Sequence, residues 1–187
     1  MVIVHVLNSL VLGGREKIVV DICNNIDSQK HTVFLITFTN DRNDIRSELH
    51  SDIKLINLPF KCDSALDIFI FWLTGLPKFI RAVNNIRPDI VHSHLYYHYY
   101  LFLSLGLRLS KVNPSSFRTV HTSGLFYASK NLANMMRVAV EQIATIIYKP
   151  YLISISKAVY HNNQSLFSSI VKGNRLIYNG VDCFLAQ

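Results

Sequence analysis

The chain has 187 residues, half of them hydrophobic, with seven glycines and five prolines. That is one ordinary domain with enough apolar material for a proper core, and it excludes a disordered polypeptide. Nineteen Lys and Arg against twelve Asp and Glu give +7, but the basic residues are scattered and not interleaved with aromatics. This argues against nucleic acid and suits an anionic membrane surface or simple solubility.

The chain opens on Val2-Ile3-Val4-His5-Val6-Leu7, a near-continuous apolar run that reads as a strand buried on both faces. With no basic leader and no cleavage site ahead of it, no signal peptide is expected. Asn8 to Gly14 forms a loop closed by a glycine pair, and helical spacing follows. Ile18, Val19, Ile22 and Ile26 are expected on its buried side, with Arg15, Glu16, Lys17 and Asp21 opposite. The pair Gly13-Gly14 lets backbone approach a ligand, and the free amides and dipole of the helix start favour an anion such as phosphate. Neither the dinucleotide fingerprint nor the P-loop is present, so at this point a structural tight turn remains the alternative.

Thr32 to Phe38 reads as a second strand, Asp44 to His50 as a short polar helix, and Lys54 to Leu58 as a third strand. Ala65 to Ile86 is a long helical stretch expected to break near Pro77; its most apolar part, Ile68 to Pro77, is shorter than the roughly 20 residues a membrane span needs. Asp89 to Ser93 is a fourth strand, Tyr96 to Leu109 a helix, and Phe117 to His121 a fifth strand. Asn131 to Tyr148 is a helix, Tyr151 to Ser154 a strand, Lys157 to Phe167 a helix, and Arg175 to Tyr178 a last strand. Helices between short apolar strands mean crossover connections, hence a doubly wound, Rossmann-like parallel α/β sheet forming one domain over residues 1–187. Ligands in such sheets bind beyond the carboxyl ends of the strands. The segments Asn8 to Gly14, His92 to Tyr96, His121 to Gly124 and Ser154 to Lys157 fall there.

Cys23, Cys62 and Cys183 show no metal or redox spacing and read as packing residues of a reducing compartment. His92, His94 and His98 invite a metal reading, but no acidic residue follows to complete such a site; histidines lining or packing beneath a polar cleft are preferred. His121, leaving a buried strand into Thr122-Ser123-Gly124, is placed either to hydrogen-bond a ligand or to order its loop. Of the four tyrosines in Tyr96 to Tyr100, at least two are expected to pack and the others to be exposed, for stacking on sugars or sitting at a membrane interface. No G-x-S-x-G and no assignable pair of catalytic carboxylates occur.

Five segments in order carry a resemblance. Ile3 to Leu10 with Gly13-Gly14-Arg15-Glu16 is similar to the first strand and Gly-Gly-x-Glu loop of glycosyltransferase family 4. Arg87-Pro88-Asp89-Ile90-Val91-His92-Ser93-His94, Thr119-Val120-His121, Ile153 to Val159 and Ile177-Tyr178-Asn179-Gly180-Val181-Asp182 resemble its later motifs. The resemblance covers nearly the whole chain and is to the N-terminal half of a GT-B enzyme.

It implies a retaining enzyme that moves a sugar from a nucleotide-diphosphate donor to a glycan or lipid-linked acceptor, in bacterial surface polysaccharide synthesis. By resemblance Gly13 and Gly14 lie by the donor diphosphate and His121 lies at the catalytic centre. The acceptor side of the cleft would be lined by Asn8, Glu16, His94, Tyr97, Thr122 and Ser123. The tyrosines and the Phe69 to Trp72 region would face a membrane-proximal acceptor. No metal and no cofactor beyond the nucleotide sugar is implied. A cytoplasmic protein, peripheral on the inner face of the membrane, is expected.

The family's second domain carries most nucleotide contacts, including a glutamate pair and a basic pair, and these lie outside the 187 residues. The chain alone is therefore expected to lack appreciable activity, needing that domain in cis or in trans. The alternative is a non-enzymatic Rossmann-like module that binds an anionic glycan or lipid, or a separate catalytic subunit. A nicotinamide oxidoreductase lacks its glycine fingerprint.

Overall fold

The computed structural model describes residues 1–39, 45–60, 64–121 and 131–180. Seven strands form one sheet: β1 (Val2–Val6), β2 (Thr32–Thr37), β3 (Lys54–Asn57), β4 (Ile90–Ser93), β5 (Ser115–Val120), β6 (Tyr151–Ser154) and β7 (Gly173–Leu176). Every pairing is parallel, in the order β3-β2-β1-β4-β5-β6-β7. The chain reverses its direction of growth between β3 and β4, which puts the switch point between β1 and β4. The doubly wound, Rossmann-like sheet expected from the alternation of elements is the one observed.

The helices are α1 (Gly14–Asn24), α2 (Ala65–Ile70), α3 (Leu76–Ile86), α4 (Tyr97–Leu109), α5 (Leu132–Ile147) and α6 (Lys157–Phe167), with a 3-10 turn at Arg46–Glu48. The expected break near Pro77 is instead a π-helical turn, Phe71–Gly75, linking α2 to α3. Pro77 sits in the first turn of α3, where a missing N–H costs little. The last strand lies two residues earlier than expected, because Lys172 N–H donates to Pro150 O and pairs Tyr151 with Gly173. None of the described helices is long and apolar enough to cross a membrane.

Strand alternation assigns the core to two faces. On one face Val4, Val6, Ile36 and Val91 pack against Phe71, Phe79, Phe102, Leu103 and Ala144 from the π turn and α3 to α5. A Cβ at Gly106 would lie 2.4 Å from Phe79 Cδ1, so glycine there lets α4 and α3 touch. Farther along, Val120 and Leu152 meet Val159 and Phe167 of α6. On the opposite face, Leu7, Val33 and Leu35 pack against Val19, Val20 and Cys23 of α1.

The buried stripe of α1 is therefore Glu16, Val19, Val20 and Cys23; of the expected Ile18, Val19, Ile22 and Ile26, Val19 is buried and Ile26, just past the helix, packs against the same cluster, while Ile18 and Ile22 do not belong to it. The helix is turned toward β1 and β2. That leaves Ile22 37% exposed and points Ile18 and Ile22 into a hollow of about 810 Å³ beside β4 to β6. His92, Thr119, His121, Ile153 and Ile177 are among the residues that line the rest of it.

Candidate functional site

Three strand ends meet at the switch point, and the first carries the glycine loop. Gly13 is the N-cap of α1, and no side chain caps the first-turn amides among the described residues. A Cβ on Gly13 would lie 2.6 Å from Glu16 Oε2, so a side chain there would push the end of the Glu16 carboxylate aside. A Cβ on Gly14 would meet nothing within 4 Å, so Gly14 faces open space. Arg15 ties the loop together: its Nε donates to Glu16 Oε1 at 2.8 Å and its Nη2 to Asn8 Oδ1 at 2.7 Å. Its guanidinium lies 5.1 Å from the centre of the Tyr96 ring. Asn8 and Glu16, expected along the cleft, thus bond first to Arg15.

Four histidines converge beside this loop. β1 pairs with β4 so that His5 lies opposite His92, and β4 pairs with β5 so that His92 lies opposite Phe117. Positions two residues on from each, His94, Thr119 and finally His121, then share the face of the sheet that α1 covers. His5 Nδ1 is 3.2 Å from His94 Nε2, His94 Nδ1 is 3.1 Å from His121 Nε2, and His92 Nε2 is 2.7 Å from Thr119 Oγ1. His5 and His94 are buried, whereas His92 and His121 are half-buried.

Burial without a counter-charge penalises protonation. It lowers the pKa of His5 to about 4 and, with the Arg15 charge adding, that of His121 to about 4. His92 and His94 are pushed well below the usual histidine value, by desolvation first and by neighbouring charges second. At neutral pH all four are uncharged.

His5, His92 and His94 offer ligand atoms within 4.8 Å of one another, close enough to share a metal ion. His98 does not join them; its ring lies 4.2 Å from that of Tyr99. The metal fit is poor, because the Arg15 charge bears on His94 and His121 and both His94 nitrogens already face another imidazole. Two imidazole nitrogens facing each other at hydrogen-bond distance describe the arrangement better.

The other face of β5 carries a second buried polar group. Arg118 Nη2 and Glu141 Oε2 pair at 2.8 Å with side chains 1% and 0% exposed. Glu141 Oε1 accepts from the Tyr97 N–H at 3.1 Å, and Arg118 stacks 4.0 Å from the Tyr100 ring centre. This pair fixes the start of α4, where Tyr97 takes a φ of 52°, against β5 and α5. Tyr99 and Tyr100 are buried, so Tyr100 does not face an acceptor; Tyr96 and Tyr97 are the half-buried pair.

A small recess at the strand ends is lined by Arg15, His94, Tyr96, Thr119 and His121. Of the residues expected from sequence, the loop of Asn8, Gly13, Gly14 and Glu16 reaches this recess through Arg15, while His94 and His121 line it directly. His94 is buried, and Tyr97 stands apart beneath Arg137. Thr122 and Ser123 lie outside the described residues. Ser154 and Ser156 serve the fold, Ser154 bonding Asn163 and Asn174, Ser156 capping α6. Tyr96 fell in an expected strand-end segment, whereas His5 and Arg15 were given no role in the site from sequence; a lone polar residue in the apolar run Val2 to Leu7 was the available signal for His5.

Among solved structures the fold is similar to the lipopolysaccharide outer core galactosyltransferase WaaB in its apo form, with TM-score 0.67 and 16% identity over 97% of this chain and 46% of that one. The UDP-GlcNAc 2-epimerase of Methanocaldococcus jannaschii matches with TM-score 0.54 and 11% identity, over 95% of this chain and 45% of that one. The E. coli trehalose-6-phosphate protein bound with UDP-2-fluoro glucose matches with TM-score 0.53 and 12% identity, over 97% and 49%. The chain spans a little under half the length of each. No curated protein sequence matches it. The model of Glycosyltransferase Family 4 matches residues 12–183. With that match over nearly its whole length and a sheet of the same architecture as half of a GT-B enzyme, the chain belongs to glycosyltransferase family 4, as an N-terminal domain of the family.

Proposed function

We propose that this domain is the acceptor-side half of a retaining glycosyltransferase that moves a sugar from a nucleotide-diphosphate donor to a glycan or lipid-linked acceptor. The observation that carries the reading is the recess where Arg15 of the α1 start meets His121 at the end of β5. The uncapped amides and positive end of α1 suit a diphosphate at Gly13-Gly14. A neutral His121 beside them suits a hydrogen bond to the sugar. The galactosyltransferase WaaB and the structure holding UDP-2-fluoro glucose are neighbours consistent with a nucleotide-sugar donor.

Transfer requires a second domain to neutralise the diphosphate and close the cleft. No metal or cofactor takes part, and a surface polysaccharide of a bacterium is the product to which the acceptor belongs. The enzyme works on the cytoplasmic face of the membrane, where Leu66, Phe69 and Leu73, 65%, 63% and 64% exposed, offer an apolar contact. The test is His121→Ala in the two-domain protein, assayed against a panel of nucleotide sugars. A fall in kcat of about a hundred- to a thousandfold is expected for loss of a preorganised hydrogen-bonding group. Unchanged turnover rules out His121 as the residue that meets the donor sugar.

A further inference from the structure

We propose that His94 and His5 are positioning residues: the hydrogen-bonded run His5–His94–His121 decides whether His121 presents an N–H or a lone pair to the bound donor. The proposal rests on His121 being the residue that meets the donor sugar.

A neutral imidazole has one N–H and one acceptor nitrogen. His94 has both nitrogens engaged, Nε2 at 3.2 Å from His5 Nδ1 and Nδ1 at 3.1 Å from His121 Nε2. Only two proton arrangements satisfy both contacts. In the first, His5 Nδ1–H donates to His94 Nε2, His94 Nδ1–H donates to His121 Nε2, and His121 carries its own proton on Nδ1. In the second, His121 Nε2–H donates to His94 Nδ1, His94 Nε2–H donates to His5 Nδ1, and His121 Nδ1 is left as an acceptor. A mixed arrangement sets two lone pairs or two N–H groups against each other, in a place that water reaches poorly, since His5 and His94 are 2% and 1% exposed. The three tautomers are therefore linked. His5, one histidine removed from His121, thereby biases the state of His121 Nδ1, the nitrogen left over for a ligand.

The placement is built into the sheet. His5 and His92 are register partners on β1 and β4, and His94 follows His92 by two. The bond between His92 Nε2 and Thr119 Oγ1 at 2.7 Å keeps the first histidine of the H-x-H pair out of the run and braces it from β5. A partner that fixes a histidine's tautomer has a measurable effect on turnover even when it never touches substrate.

The experiment is nitrogen NMR of the protein with isotope-labelled histidine at neutral pH. In the unaltered protein, couplings across both hydrogen bonds are expected, from His5 Nδ1 to His94 Nε2 and from His94 Nδ1 to His121 Nε2, with His121 in a single tautomer. Absence of either coupling overturns the proposal, and this arm needs no variant to fold. In His5→Phe, His121 is expected to become a mixture of tautomers; an unchanged single tautomer overturns the proposal. Addition of zinc is expected to leave the ring shifts of His5, His92 and His94 in place, and their saturable displacement overturns the run in favour of a metal centre. In the two-domain enzyme His5→Phe is expected to lower kcat about ten- to a hundredfold with KM little changed. Because the tautomer readout does not depend on transfer, inactivity of His121 in catalysis and absence of the run are separate results.

Discussion

β5 is buried on both sides, and its two faces solve the same problem in opposite ways. On one, Arg118 and Glu141 are charged, almost without exposure, and closed in by Tyr100 and the start of α4. On the other, Thr119 and His121 belong to a group of histidines that stays neutral and opens at one end onto a recess. A buried charge persists only with its counter-charge, whereas imidazoles with no carboxylate among them give up the proton. The charged face fastens three elements together, and although Arg118 borders the same recess its side chain is only 1% exposed and is committed to Glu141. The neutral face keeps donor and acceptor capacity that a ligand can read.

The largest effect expected from this contrast is on stability. Glu141→Ala leaves Arg118 without its carboxylate in the interior and is expected to cost about 3–5 kcal/mol. Replacing both partners together, Arg118→Met with Glu141→Leu, is expected to restore much of that loss, because the uncompensated charge is gone. Urea unfolding of the three proteins checks it. A single variant within about 1 kcal/mol of the parent would mean that the two faces do not differ as described.

The neutral face is expected to appear in the pH dependence. The pKa of His5 is about 4 when folded against 6.5 for a free side chain, so the unfolded chain binds more protons between those values. Stability from this group is therefore complete above pH 6.5 and is lost as pH falls through about 4. Its share is about 3 kcal/mol, with His121 adding in the same direction. In His5→Phe the unfolding midpoint should depend less on pH across that window. An equally steep profile in the variant would remove His5 from the account.

How much of this was legible in the sequence follows from range. The succession of strands and helices and the fold class were readable because apolar runs and helical spacing are local, and the glycine pair announced the α1 start. His92, His94 and His121 were readable as strand-end residues because alternation is local too. What brings His5 to them is the β1–β4 pairing, which sets His5 opposite His92, 87 residues along the chain, and nothing local in Val2 to Leu7 states that register. The Arg118–Glu141 pair was hidden for the same reason. Arg118 lies in an otherwise buried strand, and its partner arrives from a helix that starts only at Leu132. The rotation of α1 was misread because its hydrophobic spacing fits two stripes, and only contact with β1 and β2 selects Val19, Val20 and Cys23.

The comparison is sharpest at the loop where the neutral face meets the cleft, because two adjacent glycines there matter for different reasons. Gly13 faces inward: an added Cβ meets Glu16 Oε2 at 2.6 Å, and moving that carboxylate aside disturbs its pairing with Arg15. Gly13→Ala is expected to cost about 1–3 kcal/mol through overpacking. Gly14 faces outward, with nothing within 4 Å of an added Cβ and no positive φ to satisfy. Gly14→Ala is expected to leave stability unchanged or raise it by about 0.5 kcal/mol, while raising KM for the nucleotide sugar in the two-domain protein. Unfolding curves and saturation kinetics on the two variants separate the roles. If Gly14→Ala left KM unchanged, the open space above it would not be the donor's, and the anion site would have to be sought elsewhere along the strand ends.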